Sequence, residues 1–147
     1  PALELAASFG GGVLVEEFVE GMEVHVAILG EEAIGAIQVV PAAEFYDYQA
    51  KYKSGGTTQY VFPAPLEAEL ERKVLDTARA AHRALGCSGY SRVYTIVQPE
   101  TGKLWVLEVN TLPGFTASSL VPKIAAGRGI SFHDLCERIL RSASLET

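Results

Sequence analysis

The chain has 147 residues, 48% of them hydrophobic, and a formal net charge of −6 at pH 7. This length supports one domain with a substantial core and is too short for two large domains. The acidic balance argues against a nucleic-acid partner, because neutralising backbone phosphates requires a basic surface, although a nucleotide site needs only a few local cations. With no run of 18 apolar residues, no membrane span is expected, and the two cysteines, interpreted below as reduced thiols, predict a cytoplasmic protein.

The amino-terminal part of the chain predicts an antiparallel sheet. Residues 1–9 are alanine-rich and indicate the tail of a helix, which the glycines that follow end. Three apolar stretches separated by glycine turns are each predicted as a strand: 13–19, 24–29 and 33–40. Because the chain begins at Pro1 rather than Met, we expect a trimmed or excised piece of a longer protein.

Residues 41–65 are predicted to be a long loop, polar and glycine-rich with two lysines and several aromatic residues. A loop of this length in a compact domain is usually functional or mobile, and the alternative is a disordered surface loop. Helical spacing then predicts a scaffold helix over 66–85. His82 near its end is expected to be a solvated helix charge rather than a ligand.

Two further strands are predicted over 91–97 and 103–109, joined by a hairpin turn. A short helix over 119–126 and an amphipathic helix capped by Ser131 complete the chain, and we expect the helices to pack on one side of the sheet. The two cysteines are interpreted as reduced core thiols rather than as a disulfide or a metal pair: Cys87 and Cys136.

The end of the last strand carries a candidate metal site. Alternation predicts that Glu108 shares one face with Leu104 and Val106, and Asn110 lies two residues further on that same face. A carboxylate and an amide oxygen are hard ligands that suit Mg²⁺ better than zinc. We interpret this stretch as the place where a metal nucleotide meets its acceptor; the alternative is an acidic strand end followed by an ordinary turn.

Four segments, taken together, resemble D-alanine–D-alanine ligase, a member of the ATP-grasp superfamily. They are LVEEFVEGME (14–23), FYDYQAKY (45–52), GYSRV (89–93) and LEVNTLPGFTASSL (107–120). One such segment alone would be a weak signal, whereas four in the same order are specific and extend over nearly the whole chain. The resemblance implies an α+β fold, the ATP-grasp carboxy-terminal domain, built on a mainly antiparallel sheet with packed helices.

The resemblance also implies an activity and its partners. The activity is the ATP-dependent ligation of two D-alanines through a D-alanyl phosphate, for peptidoglycan precursor synthesis. ATP is the co-substrate, the cofactors are two Mg²⁺ or Mn²⁺ ions, no nucleic acid or membrane is involved, and the full-length parent is a homodimer. Residues 1–147 correspond to a single carboxy-terminal lobe, with 1–20 the end of the preceding lobe and the hinge. The amino-terminal lobe and most of the central lobe are then absent, so the fragment alone is expected to be inactive.

By the same resemblance, five residues bind the nucleotide. Glu16, Glu17 and Val19 would hold the adenine, and Glu23 would accept hydrogen bonds from the ribose hydroxyls. Lys51, in a loop that closes over the reaction, would neutralise the γ-phosphate as a point charge. For the four acidic residues between 16 and 23, the alternative is a solvated acidic edge.

The reacting centre is assigned in the same way. Arg92 resembles the arginine that stabilises the oxyanion of the tetrahedral intermediate, and Gly114 gives room to the substrate and donates its N–H to that oxygen. Tyr52, in the mobile loop, favours the dipeptide over a D-alanyl–D-lactate ester. Ser119 and Leu120 would hold the carboxylate of the second D-alanine at the start of a short helix.

For the metals, Glu108 would bridge two ions and Asn110 would bind one. Tyr94 stands where the family has an aspartate as a third ligand, and a phenol, with a pKa of about 10, is normally neutral. Two interpretations stay open: a variant whose metal binding survives, or a non-catalytic ATP-grasp fragment or pseudoenzyme with an impaired metal site. A ligase with a different acceptor is a third, weaker hypothesis.

Overall fold

A computed structural model of the chain describes residues 1–41 and 58–143. The elements in chain order are α1 (Ala2–Ser8), β1 (Met22–Leu29), β2 (Glu32–Val40), β3 (Gln59–Val61), α2 (Ala68–Ala84), β4 (Tyr90–Gln98), β5 (Lys103–Asn110), α3 (Leu120–Gly127) and α4 (Phe132–Ser142). The strands form one antiparallel sheet in the order β3-β2-β1-β4-β5. The predicted α+β class with a mainly antiparallel sheet is confirmed. Within the described ranges, no helix has the length and apolar character needed to cross a membrane.

One face of the sheet packs against α2 and forms an apolar core. On β1 the alternate residues Val24, Val26 and Ile28 face this core, and Val74 and Ala78 of α2 pack against them. All five side chains are fully buried. Because burying a side chain of the size of valine or isoleucine contributes about 1.5–3 kcal/mol, this face is a main source of stability.

The opposite face packs against α3 and α4. Ala27 and Ile37 contact a second buried cluster that includes Ile124 of α3 and Leu135 of α4. Our expectation that the helices would lie on one side is therefore wrong. The physical reason is that five consecutive residues of β1 are buried, so this strand presents apolar side chains to both faces and both must be covered.

The predicted strand over 13–19 is also wrong. These residues are irregular in the structure, and Leu14 and Phe18 are 80% and 87% exposed. Apolar residues favour a strand, but a strand also needs a neighbour for its backbone hydrogen bonds. In the described sheet the edge strands are β3 and β5, and the segment pairs with neither.

A bulge in β5 changes which residues share a face. Tyr94 pairs with Glu108, but Thr95 pairs with Val106, so Leu107 is an extra residue between two paired positions. As a result Glu108 lies on the face opposite Leu104, which packs against the α2 core. The prediction that Glu108 shares a face with Leu104 and Val106 is wrong, because strict alternation does not continue through a bulge.

His82 is buried rather than solvated, which corrects our expectation for this residue. Its side chain is 1% exposed, and its Nδ1 lies 2.8 Å from the Oγ of Ser91 on β4. Burial lowers the pKa of the imidazole below its ordinary value, although Glu31 opposes this shift. The two cysteines are free thiols, as predicted, but they are half-buried rather than core residues: Cys87 and Cys136.

Candidate functional site

Six polar side chains lie side by side on the sheet face opposite α2, and we call them the polar row. They are Glu23 and His25 of β1, Arg92 and Tyr94 of β4, and Glu108 and Asn110 of β5. The register places His25, Tyr94 and Glu108 directly beside one another, and Arg92 beside Asn110. Because paired residues of neighbouring strands share a face, as do residues two apart along a strand, all six face the same way.

Tyr94 connects the β1 part of the polar row. Its hydroxyl donates a hydrogen bond to Oε1 of Glu23. Its ring stacks on the imidazole of His25, with ring centroids 4.5 Å apart and an interplanar angle of 15°. These two contacts hold the Tyr94 side chain in one position, because His25 contacts its ring and Glu23 binds its hydroxyl.

His25 is uncharged at neutral pH. Its side chain is 8% exposed, and burial together with the nearby positive charge of Arg92 lowers the pKa of the imidazole to about 3. Among the described residues, neither Nδ1 of His25 nor the buried Nε of Arg92 has a hydrogen-bond partner. A buried guanidinium N–H without a partner is costly, so this position suits an anionic ligand that would accept from it.

Glu108 and Asn110 place two oxygen-bearing side chains together at the end of β5. The Nδ2 of Asn110 donates to Oε1 of Glu108 over 2.9 Å, so the two groups converge as predicted. Turning the amide by 180° would present its Oδ1 instead, since the two orientations of an amide are nearly equivalent in shape. A carboxylate and an amide oxygen at an exposed strand end fit Mg²⁺, which usually keeps several waters when protein ligands are few. Tyr94, directly beside Glu108, adds no anionic oxygen while it is a neutral phenol.

The loop after β5 gathers hydroxyl groups at the start of α3. The backbone N–H of Thr116 donates to Oγ of Ser119 over 3.0 Å, and the Oγ1 of Thr116 lies 2.9 Å from that same oxygen. A Cβ on Gly114 would lie 3.2 Å from Ser119 Oγ, so a side chain at 114 would crowd this hydroxyl. Ser119 is the N-cap of α3 and Leu120 its first residue. The structure thus brings Gly114, Ser119 and Leu120 together.

The predicted adenine residues are not part of the polar row. Glu16 and Glu17 are exposed and Val19 is half-buried, all on the irregular segment before β1. This segment meets β4 one residue later, where Nε2 of Gln98 donates to the carbonyl of Glu20 over 2.9 Å. Within the described ranges, no hydrogen bond or ion pair links those three residues to the row.

Two predicted site residues, Lys51 and Tyr52, lie outside the described residues. One member of the polar row, His25, was missed by the sequence reasoning. A signal for it existed, because it follows Glu23 by two positions on a predicted strand and must share its face. The hydrogen bond between Tyr94 and Glu23 had no such signal, since it joins residues 71 positions apart in the chain.

Comparison with known proteins identifies the family. A model of the family "D-ala D-ala ligase C-terminus" matches residues 1–141. D-alanine–D-alanine ligase from Anaeromyxobacter sp. (strain K) is 58% identical over 146 residues, which is 99% of this chain and 47% of that protein. The enzyme of that name from Geobacter sulfurreducens is 53% identical over 146 residues, which is 99% of this chain and 46% of that protein. The chain therefore spans about half the length of the curated relatives it matches.

Solved structures agree with this result. The crystal structure of D-alanine–D-alanine ligase from Bacillus anthracis complexed with ATP has a TM-score of 0.79 and 31% identity, covering 96% of this chain and 44% of that one. A D-Ala:D-Ser ligase from Enterococcus faecalis has a TM-score of 0.71 and 33% identity, covering 85% of this chain and 37% of that one. The chain belongs to the carboxy-terminal domain family of the D-alanine–D-alanine ligases, with the ATP-grasp fold that its motifs predict.

Proposed function

We propose that this chain is the catalytic carboxy-terminal lobe of an ATP-dependent D-alanine–D-alanine ligase that serves peptidoglycan precursor synthesis in the cytoplasm. The observation that carries the proposal is the polar row, which places carboxylates, an amide and a guanidinium on one sheet face of a chain of this family. The proposal includes a complete enzyme of about twice this length, as in the relatives of which this chain spans about half, and it assigns the remaining lobes to the part outside this chain. It also includes residues 1–20 as the end of the preceding lobe and the hinge, and a homodimer.

On the nucleotide side of the row, Glu23 would accept hydrogen bonds from the ribose hydroxyls. Glu108 and Asn110 would hold Mg²⁺, which when bound supplies positive charge to the phosphate oxygens. Glu16, Glu17 and Val19 would contact the adenine, which requires the preceding segment to lie against the nucleotide. The support for Glu23 is its half-buried carboxylate, already held at one oxygen by Tyr94.

On the acceptor side, the amine of the second D-alanine attacks the carbonyl carbon of D-alanyl phosphate. A C–N bond forms and the carbonyl oxygen gains negative charge. The C–O bond to phosphate then breaks, and the proton lost by the amine leaves with the inorganic phosphate. Arg92 would stabilise this oxygen by its fixed charge, and Gly114 would donate its backbone N–H to the same atom. Ser119 and Leu120 would orient the second D-alanine through its carboxylate, by the hydroxyl and a backbone N–H.

The proposal also includes roles for Lys51 and Tyr52, and these two roles rest on the sequence alone. Lys51 would neutralise the γ-phosphate, and closure of its loop would keep water from the acyl phosphate, which otherwise hydrolyses. Tyr52 favours an amine acceptor and hence the dipeptide. The support for both roles is the similarity of residues 45–52 to the family motif.

The test is a ligation assay on the full-length protein that contains this chain, with Mg²⁺-ATP and D-alanine. We expect ADP release matched by D-alanyl–D-alanine, and no ester when D-lactate competes. Arg92→Ala should lower kcat about a hundredfold or more, because a charge at a developing oxyanion is lost. The control Arg138→Ala, at an exposed position of α4, should leave kcat unchanged.

A second candidate function is nucleotide binding without ligation. It is favoured by the position of Tyr94 directly beside Glu108, where a carboxylate in place of the tyrosine would give a metal site a further anionic ligand. Tight ATP binding with no turnover of any D-amino acid would select this function and reject the ligase. Dipeptide formation would reject the second candidate.

A further inference from the structure

The hydroxyl of Tyr94 reaches along the sheet, beyond the two residues that are paired with Tyr94 on the neighbouring strands. Its direct partners in the register are His25 and Glu108, whereas Glu23 is paired with Ile96, two residues further along β4. The Tyr94 hydroxyl nevertheless donates to Glu23. Diagonal neighbours on adjacent strands are about 7–8 Å apart, a distance that an aromatic side chain can bridge. The phenol therefore acts on the β1 carboxylate at the far corner of the polar row.

The direction of the hydroxyl is fixed by the surroundings of the ring. The phenol stacks on His25 at 4.5 Å, and His25 is itself 8% exposed in the central strand of the sheet. A ring held on one face by a buried side chain has few alternative rotamers.

The hydrogen bond leaves half of the Glu23 carboxylate for a ligand. Tyr94 donates to Oε1, and no other described side chain donates to Oε2. A glutamate has three side-chain torsions, and fixing them costs conformational entropy whenever a ligand must order the group. A carboxylate that is already held in one position binds a ligand hydroxyl without that cost.

We propose that Tyr94 is a positioning residue that holds the Glu23 carboxylate in place for a vicinal diol, the ribose of the bound nucleotide. The inference rests on the proposed function for the identity of that ligand. In this proposal Tyr94 has no role in metal binding. Tyr94 acts through Glu23 on the ribose, whereas Glu108 and Asn110 would hold the metal at the phosphates. A role of Tyr94 at the metal would instead make its hydroxyl matter for every magnesium nucleotide, with or without ribose hydroxyls.

The experiment is calorimetric titration of the full-length protein with ATP and with 2′,3′-dideoxy-ATP, at one fixed Mg²⁺ concentration. For Tyr94→Phe we expect the Kd for ATP to rise about tenfold, because ATP must then order the Glu23 carboxylate that Tyr94 no longer holds. The Kd for dideoxy-ATP should change less than about twofold, since this ligand has no diol to present. Tyr90→Phe removes a hydroxyl from the same strand and should change neither Kd.

An equal loss of affinity for both nucleotides in Tyr94→Phe would overturn the proposal, and so would an unchanged Kd for ATP. A wild-type protein that binds ATP but forms no dipeptide would reject the ligase function, while the ratio of the two Kd changes would still decide the role of Tyr94. A wild-type protein that binds neither nucleotide would reject both.

Discussion

The two faces of the sheet are made by alternate residues of the same strands, yet one face is an apolar core and the other carries the polar row. On the α2 face, Thr95 donates to the carbonyl of Val24 over 2.8 Å within an apolar core. On the other face, the neighbouring residues Arg92 and Tyr94 carry polar groups of the row, and Nε of Arg92 has no partner among the described residues. One residue along a strand thus separates a group that stabilises the fold from a group that can serve a ligand. Substitutions on the two faces should therefore change different measurements.

The largest effect is expected for Glu108→Gln, on the polar-row face. The change removes the anionic ligand at the metal position, and we expect kcat of the full-length protein to fall more than about a hundredfold. The side chain is exposed, so the thermal midpoint should hardly change. The control Glu100→Gln alters an exposed carboxylate in the hairpin turn and should be neutral. Normal turnover in Glu108→Gln would contradict the proposal that Glu108 holds Mg²⁺.

Ile28→Ala tests the α2 face, where we expect a loss of stability without a change in activity. The side chain is fully buried in the α2 core, so its truncation should destabilise the protein by about 2–5 kcal/mol through lost burial and a cavity. Once the folded fraction is taken into account, kcat and the Kd for ATP should match the wild type. Leu85→Ala, at a side chain that is 66% exposed, is the control and should be close to neutral in urea denaturation. A selective loss of nucleotide affinity in Ile28→Ala would show that the two faces are coupled.

Much of the fold could be predicted because its signals are local. Helical spacing predicts α2, a turn between two apolar runs predicts the β4–β5 hairpin, and the serine before α4 predicts its cap. The convergence of Glu108 and Asn110 could also be predicted, because two residues of one strand decide it.

What could not be predicted depends on pairs of distant residues. The bulge at Leu107 is a mismatch between β4 and β5 and is invisible in either strand alone. His82 is buried, and its Nδ1 contacts the hydroxyl of Ser91, which lies on another element. The contact of Tyr94 with Glu23 likewise needs β1 and β4 in register. At position 94 the sequence pattern indicated a tyrosine in place of a metal-binding aspartate, and in the structure its hydroxyl donates to the carboxylate of Glu23.

The buried His82 on the α2 face should make the free energy of unfolding depend on pH. Folding lowers the pKa of this imidazole, so the unfolded chain binds the proton more readily. The contribution of His82 to stability is therefore complete above pH of about 6.5, the ordinary pKa, and is lost as the pH falls toward the folded pKa. One proton changes the free energy of unfolding by at most about 1.4 kcal/mol per pH unit.

The measurement is urea denaturation of the full-length protein between pH 7.5 and pH 5. We expect His82→Gln to flatten the dependence in part, because the low pKa of His25 acts in the same direction and remains. His133, 88% exposed on α4, provides the control variant His133→Gln, which should keep the wild-type slope. An unchanged slope in His82→Gln would show that protonation of this residue does not oppose folding.

The smallest effect is expected for Ser131→Ala. The sheet face opposite α2 carries the polar row on one part and packs against α3 and α4 on the other, and this variant tests whether a change in α4 affects nucleotide binding at the row. The Oγ of Ser131 accepts from the backbone N–H of Asp134 over 3.1 Å and caps α4, whose Leu135 is buried against the helix-covered half of that face. Loss of an N-cap costs about 1 kcal/mol, and Ser131→Asn should restore most of it because asparagine also caps well. The Kd for ATP should be the same in all three proteins, since the row is built on β1, β4 and β5 rather than on α4. If affinity fell together with stability and returned with asparagine, the position of α4 would be part of the nucleotide site.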